Sequence, residues 1–349
     1  VTDSNVIVGQ NSTISSTADE CIVGGAFGLA WSKIQVNVPQ GEGDSYGVAQ
    51  MLGVTVRNNY AVASVGKDES DNDKLRGTGG IIGNAQVGCD VRNVRVAALS
   101  EDAKVEVGGN VSGKIVQCVG GIVGQLNDKR RGDTSSSYSF DGIAVENATM
   151  KAVEGSGGLV GTIAAGINVD CSNVVISNVE LGNTYSGGLA GGIKNSNAVL
   201  TASNVKVQNC TFKGDACSAI SGDGKGAFRL SNVLVYKNRY QDKGNQGLIL
   251  GKTWNAGSTN DLRGLYVAGL DIVPEDGKKT SDLPDYVAPG ANKQEELANV
   301  QRDIHKVSYV VLADYNDVST GTESADHNAG NGSDLYNDER NAFPQRARM

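Results

Sequence analysis

Between residues 93 and 267 the chain repeats short segments in which apolar positions alternate with variable ones. They are Asn93-Val94-Arg95-Val96, Asn173-Val174-Val175-Ile176, Asn204-Val205-Lys206-Val207, Asn232-Val233-Leu234-Val235 and Gly264-Leu265-Tyr266-Val267, with Gly142-Ile143-Ala144-Val145 as a looser copy. Side chains two apart share one face of a strand, so each segment predicts a strand with one buried face. The Asn or Gly that opens each copy tolerates the left-handed backbone of a sharp corner. No window of eleven or more residues in this stretch has helical spacing.

A glycine pentapeptide alternates with these strands. Its copies are Gly79-Gly80-Ile81-Ile82-Gly83, Gly120-Gly121-Ile122-Val123-Gly124, Gly157-Gly158-Leu159-Val160-Gly161, Gly187-Gly188-Leu189-Ala190-Gly191 and the degenerate Gly247-Leu248-Ile249-Leu250-Gly251. Cys217-Ser218-Ala219-Ile220-Ser221-Gly222 fits the same slot with glycines replaced, and Gly24-Gly25-Ala26-Phe27-Gly28 is a forerunner. The first four copies start at 79, 120, 157 and 187, so the period settles near thirty and the earlier surplus reads as inserted loops. The stretch from Gly24 to Gly79 fits one enlarged unit or two degenerate ones. No Lys-Ser or Lys-Thr follows any copy, as a phosphate-binding loop requires, so the pentapeptide reads as a corner.

A unit of about thirty residues with two or three short strands is too small for a propeller blade and lacks the helix of leucine-rich or ankyrin repeats. The expected fold is all-β, a parallel β-helix (β-solenoid) of right-handed winding, each unit one rung. Rungs stack about 4.8 Å apart, so roughly seven to nine of them span about 35 to 45 Å. Aromatics at 5%, 47 glycines and 5 prolines in 349 residues suit a narrow interior and an uninterrupted ladder. The solenoid is expected over residues 1–275, with clear repeats at 79–272 and looser rungs at 1–78. Residues 276–315 predict a linker, a short helix over 293–305 and a strand over 307–315 that together cap the open end. Residues 316–349 read as a polar tail or linker.

The net charge of −8 and pI near 4.9 argue against nucleic-acid or anionic-membrane partners. No segment reaches the eighteen apolar residues of a membrane span, so membrane insertion is not expected. The first residues show no basic stretch followed by an apolar run, and Val1 reads as the start of a piece excised from a longer polypeptide.

The six cysteines (Cys21, Cys89, Cys118, Cys171, Cys210, Cys217) contain no CxxC, and the two histidines lie far downstream, so neither metal nor cofactor is expected. Small buried side chains stacked inside the solenoid are the expectation, with a Cys210–Cys217 disulfide as the alternative. The acidic loop 67–74 lacks the glycine and closing Glu of an EF-hand. The basic loop 127–133 is too short for an electrostatic footprint.

Carboxylates on the outer face are the natural enzyme candidates, because β-helix glycosidases and lyases work with paired acids there. Asp141, Asp170, Asp261 and Asp271 are the candidate catalytic set, with Glu180 and Asp223 near strands as well. Basic partners are Lys206, Arg229, Arg239 and Arg263. Retaining hydrolysis needs two carboxyls about 5 to 5.5 Å apart. The residues after the first Val of each strand, Arg95, Val175, Lys206, Leu234 and Tyr266, supply no acid pair. Tyr236, Tyr240 and Trp254 are candidates for a carbohydrate-stacking platform, against core or cap packing.

Gly-Gly-Leu-Val-Gly beside an Asn-Val-x-Val strand resembles the GLUG-type repeats of large, modular, secreted bacterial surface proteins, including adhesins and the upstream regions of immunoglobulin A-cleaving metalloproteases. The resemblance covers residues 79–272. It implies an extracellular, noncatalytic module for adhesion or ligand display toward a host glycan or protein, or one packed against neighbouring modules of the same polypeptide. The alternatives are a carbohydrate-active β-helix enzyme (glycoside hydrolase or polysaccharide lyase) and a passive stalk. No HExxH zinc motif occurs. The structural residues implied are Gly79, Gly80, Gly83, Gly120, Gly121, Gly124, Gly157, Gly158, Gly161, Gly187, Gly188 and Gly191.

Overall fold

Alternating valines become ladders when strands of successive repeats pair side by side. The computed structural model describes residues 13–16, 22–38, 48–58, 76–100, 102–109, 117–128, 137–152, 154–182, 184–214, 216–242, 250–252, 261–268, 271–273 and 310–313. Among these the protein is all-β, with no helix. Three sheets hold 15, 6 and 7 strands. Their pairings are parallel; in the largest sheet Val94 lies beside Ile143, which lies beside Val174, and the column continues through Val205, Val233, Leu265 and Val310.

The chain visits the sheets in a fixed order, one level at a time. One level runs through Asn168–Gly182 in the first sheet, Tyr185–Gly187 in the second and Ala190–Ile193 in the third. It then returns to the first sheet at Val199–Gln208, paired one level on. The stretch from Gly24 to Gly79 is one enlarged level. Its first-sheet strands Ile34–Val36, Ala49–Leu52 and Thr55–Asn58 pair with the next level, and Gly24 aligns with Gly79. Extra chain length falls between Ile34–Val36 and Ala49–Leu52, between Cys89–Ala97 and Val105–Gly108, and between Val123–Leu126 and Tyr138–Lys151.

Two asparagine corners shape each passage through the first sheet. Asn93, Asn173, Asn204 and Asn232 have φ near +50° and Gly142 fills the same place at +67°, the left-handed region expected for them. Five residues later Asn147, Asn178 and Asn209 repeat the device, with Lys237 in their register. The side-chain amides stack from level to level: Asn204 Nδ2 donates to Asn173 Oδ1 at 3.3 Å, Asn232 to Asn204 at 3.2 Å and Asn178 to Asn147 at 2.6 Å. The first column stands out in the sequence as Asn-Val-x-Val; the second recurs as Asn147-Ala148-Thr149-Met150, Asn178-Val179-Glu180-Leu181 and Asn209-Cys210-Thr211-Phe212, where alternation is kept but the apolar residue types differ at every copy.

The glycine pentapeptide is the corner between the second and third sheets. Gly157 ends one strand, Gly158 and Leu159 turn, and Val160 opens the next. These glycines answer to space rather than to φ. A Cβ on Gly157 would sit 1.8 Å from the Val160 carbonyl oxygen; on Gly158, 2.3 Å from Gly188 O of the next level and 2.7 Å from Ile176 Cγ2; on Gly161, 2.5 Å from Val119 N. Sheets that ordinarily pack about 10 Å apart are drawn together here because neither presents a side chain at the contact. The first sheet closes around this thin pair: the Ser186 hydroxyl donates to Lys213 O, and Asn58 Nδ2 donates to Thr78 Oγ1.

One continuous core results. It includes the inward valines and isoleucines of the first sheet and the corner residues Ile122, Leu159, Leu189 and Ile220, each almost fully buried. Leu159 and Val160 are both 1% exposed, since the chain turns between them and each side of the corner faces apolar neighbours. The strand expected at 307–315 is present as Val310–Ala313, and it adds a further level to the first sheet by pairing with Leu265 to Ala268. The expected helix over 293–305 and the tail 316–349 lie outside the described residues.

Candidate functional site

Outward positions of the first sheet form columns that differ from level to level. Ser139, Asp170, Thr201 and Arg229 share one column, and Arg92, Asp141, Ser172, Ser203 and Ser231 the next. Asp141 and Asp170 are therefore diagonal neighbours, one level and two residues apart, with Cα atoms roughly 8 Å from each other. Asp141 is committed to the corner: its Oδ1 accepts from Ser172 Oγ at 2.6 Å and from Asn173 Nδ2 at 2.7 Å, filling the place Gly142 leaves empty in the asparagine column. Asp170 is exposed. The register sets Asp261 beside Arg229 and Asp271 beside Arg239.

The stacking-platform set loses a member. Tyr240 is fully buried and lies against Phe212, ring centroids 5.2 Å apart and 17° from parallel, so the core takes the ring that the sequence offered as a ligand platform. The reason is its place on an inward position one residue past Arg239. Tyr236 lies in register with Gln208, and Trp254 lies outside the described residues.

Between the two asparagine columns the outward row Ala144, Val175, Lys206 and Leu234 is also buried, at 0 to 5% exposure, and Ala144 with Val175 forms an apolar cluster separate from the core. Simple alternation predicted exposure there. Arg95 in the same row pairs with Glu146 at 2.7 Å.

A charged centre lies elsewhere, at the far end of the third-sheet strands. Lys194 Nζ is 3.3 Å from Glu154 Oε1, 3.2 Å from Asp223 Oδ2 and 3.9 Å from the centre of the Tyr185 ring. Burial alone would lower the ammonium's pKa, but Asp223 and Glu154, with Tyr185, outweigh it and the net shift is upward. Its resting state is thus an ion pair. Asp223 was among the acids read from the sequence; Lys194, Glu154 and Tyr185 were not singled out, because the centre is assembled from three successive levels. The visible signal was the separation of 29 residues between Lys194 and Asp223, close to the repeat period.

A polar column runs beneath this centre. Asn84, Gln125, Thr162, Gly192 and Asp223 stack in register, and Asn84 Nδ2 donates to Gln125 Oε1 at 2.7 Å and to Arg76 O at 2.6 Å. Cys89, Cys118, Cys171, Cys210 and Cys217 are buried and none is in a disulfide, so the Cys210–Cys217 disulfide is not formed. Burial pushes the Cys210 thiol up to about 12 and raises Cys89, Cys118 and Cys171 as well, which leaves these sulfurs protonated and unreactive. No group of three or more potential metal ligands occurs among the described residues.

No protein-family model, curated protein or solved structure matches the chain. What the fold defines by itself is an all-β protein of stacked parallel strands.

Proposed function

We propose that the chain is a parallel β-solenoid module of a secreted or cell-surface protein, noncatalytic, which displays its long first-sheet face to a hydroxyl-rich ligand such as a host glycan. The observation that carries this reading is the division of labour along one ladder. Inward positions keep apolar or aromatic side chains from level to level, Tyr138, Val169, Leu200 and Phe228 in one column and Ile143, Val174, Val205 and Val233 in another, while the outward columns carry Ser139, Asp170, Thr201 and Arg229, then Asp141, Ser172, Ser203 and Ser231. Hydroxyls and carboxylates at a repeat of about 4.8 Å offer hydrogen bonds to a polymer of sugar hydroxyls without a deep pocket. A rigid stack also projects such a face without a domain joint.

The test pairs a glycan array with a reducing-end assay on the oligosaccharides that bind. Binding that survives without product, and weakens on Asp170→Asn or Thr201→Ala, supports display. Product that disappears in Asp141→Asn or Asp170→Asn overturns it in favour of a carbohydrate-active enzyme. Neither binding nor turnover reduces the module to a passive stalk.

A further inference from the structure

Lys194, Asp223 and Glu154 are brought together by backbone alignment rather than by chance approach of long side chains. The Lys194 amide donates to Ile163 O at 2.9 Å, which fixes the lysine at the end of its strand on the level above Glu154's. Asp223 stands on the following level, directly over Gly192. Because Gly192 has no side chain, the lysine folds back across it: Lys194 Cε passes 3.3 Å from where a Cβ on Gly192 would be. The ammonium therefore ends between two carboxylates with the Tyr185 ring against it. The side chain of Asp223 is only 6% exposed, against 29% for Lys194 and 31% for Glu154.

We propose that Lys194 and Asp223 condense to an intramolecular isopeptide bond, with Glu154 as the proton relay. The resting ion pair reacts through its neutral form, in which the lysine proton has passed to Asp223; the two carboxylates oppose that transfer, and the burial of Asp223 partly offsets them. Nζ then attacks Cγ of Asp223. Glu154, within reach of Nζ, takes a proton from the nitrogen of the tetrahedral adduct and returns it to the departing hydroxyl. A C–N bond forms, a C–O bond breaks and water leaves. Ammonium plus carboxylate gives amide plus water, with no oxidant, metal or cofactor. Holding amine and acid 3.2 Å apart supplies the effective concentration that the reaction lacks in free solution. The product ties two adjacent levels together along the third sheet and closes a loop of one complete repeat. It is independent of what the outer face binds.

The test is the intact mass of the full chain, purified under denaturing conditions. A condensed protein is lighter than its sequence by about 18 Da, one water. Protease digestion then yields a branched peptide containing both Lys194 and Asp223. Lys194→Arg and Asp223→Ala should restore the full mass, and Glu154→Gln, nearly isosteric, should leave most of the protein uncondensed while circular dichroism still reports β-structure. The full mass in the unaltered protein, with Lys194 and Asp223 recovered in separate peptides, overturns the proposal. A water loss that persists in Lys194→Arg places the dehydration elsewhere and overturns it equally. Rapid condensation in Glu154→Gln removes Glu154 from the relay.

Discussion

The pentapeptide corner and the outer columns of the first sheet repeat with the same period yet tolerate sequence differently. At the corner, Gly79, Gly120, Gly157 and Gly187 align in one column that ends at Ser218, because backbone from the third sheet and from adjacent levels fills the space a side chain needs. On the outer face, Ser139, Asp170, Thr201 and Arg229 share one position across four levels. Repetition therefore marks where backbone touches backbone on every side, and variation is tolerated where a side chain has room. In a stacked fold each position has neighbours above and below, so steric demand at one corner propagates through all of them.

The contrast breaks most sharply with buried charge. Leu159→Asp and Val160→Asp should each destabilise the fold by on the order of 4 kcal/mol, because both side chains are 1% exposed and neither site offers a partner for the charge. Loss of the cooperative thermal transition is the measurement; unchanged melting in both would refute the corner assignment. Gly158→Ala is a smaller insult at the same corner. One methyl group against Gly188 O and Ile176 Cγ2 should cost about 3 kcal/mol, read from urea midpoints.

Asparagine corners rank next. Asn173→Ala forces an alanine into φ near +54° and removes the hydrogen bonds to Asp141 and from Asn204, for a loss of roughly 2 kcal/mol. Asn173→Gly keeps the backbone and loses only the amide contacts, so it should fall within about 1 kcal/mol of the unaltered protein. If the two variants are equally destabilised, the left-handed corner is not what selects asparagine. On the exposed column, Asp170→Asn should change stability by less than about 0.5 kcal/mol.

The smallest expected effect depends on pH. The Lys213 hydrogen bond, with Lys104 and Lys151 nearby, holds the Glu180 carboxyl below its ordinary value. A depressed folded-state pKa gives a stability contribution that is complete above the unfolded-state value and lost as pH falls through the folded one. Glu180→Gln should therefore melt slightly lower than the unaltered protein near neutral pH and converge with it in acid. A gap that persists below the carboxylate range would assign the difference to packing.

Much of this organisation was readable from residue order. Period, strands, corners and the preference for asparagine before Val-x-Val follow from local chemistry, because alternation and left-handed φ are properties of a few consecutive residues. The single enlarged level between Gly24 and Gly79 was not decidable, since two units and one unit with insertions have equal length. Tyr240 was open to two readings, a stacking platform or core packing, and the structure places it in the core, because a strand of four residues, Arg239–Asp242, does not announce its inward face.

The sequence alone determined the repeat, its strand content and the glycine column, all set by interactions within one unit or between identical positions of neighbouring units. Tertiary structure decided what different levels assemble together. It buried Leu159 and Val160 alike by turning the chain between them, and it joined Glu154, Lys194 and Asp223 from three levels around the gap at Gly192. The physical reason is register: parallel pairing fixes which residues of distant repeats become neighbours, and no local pattern encodes that alignment.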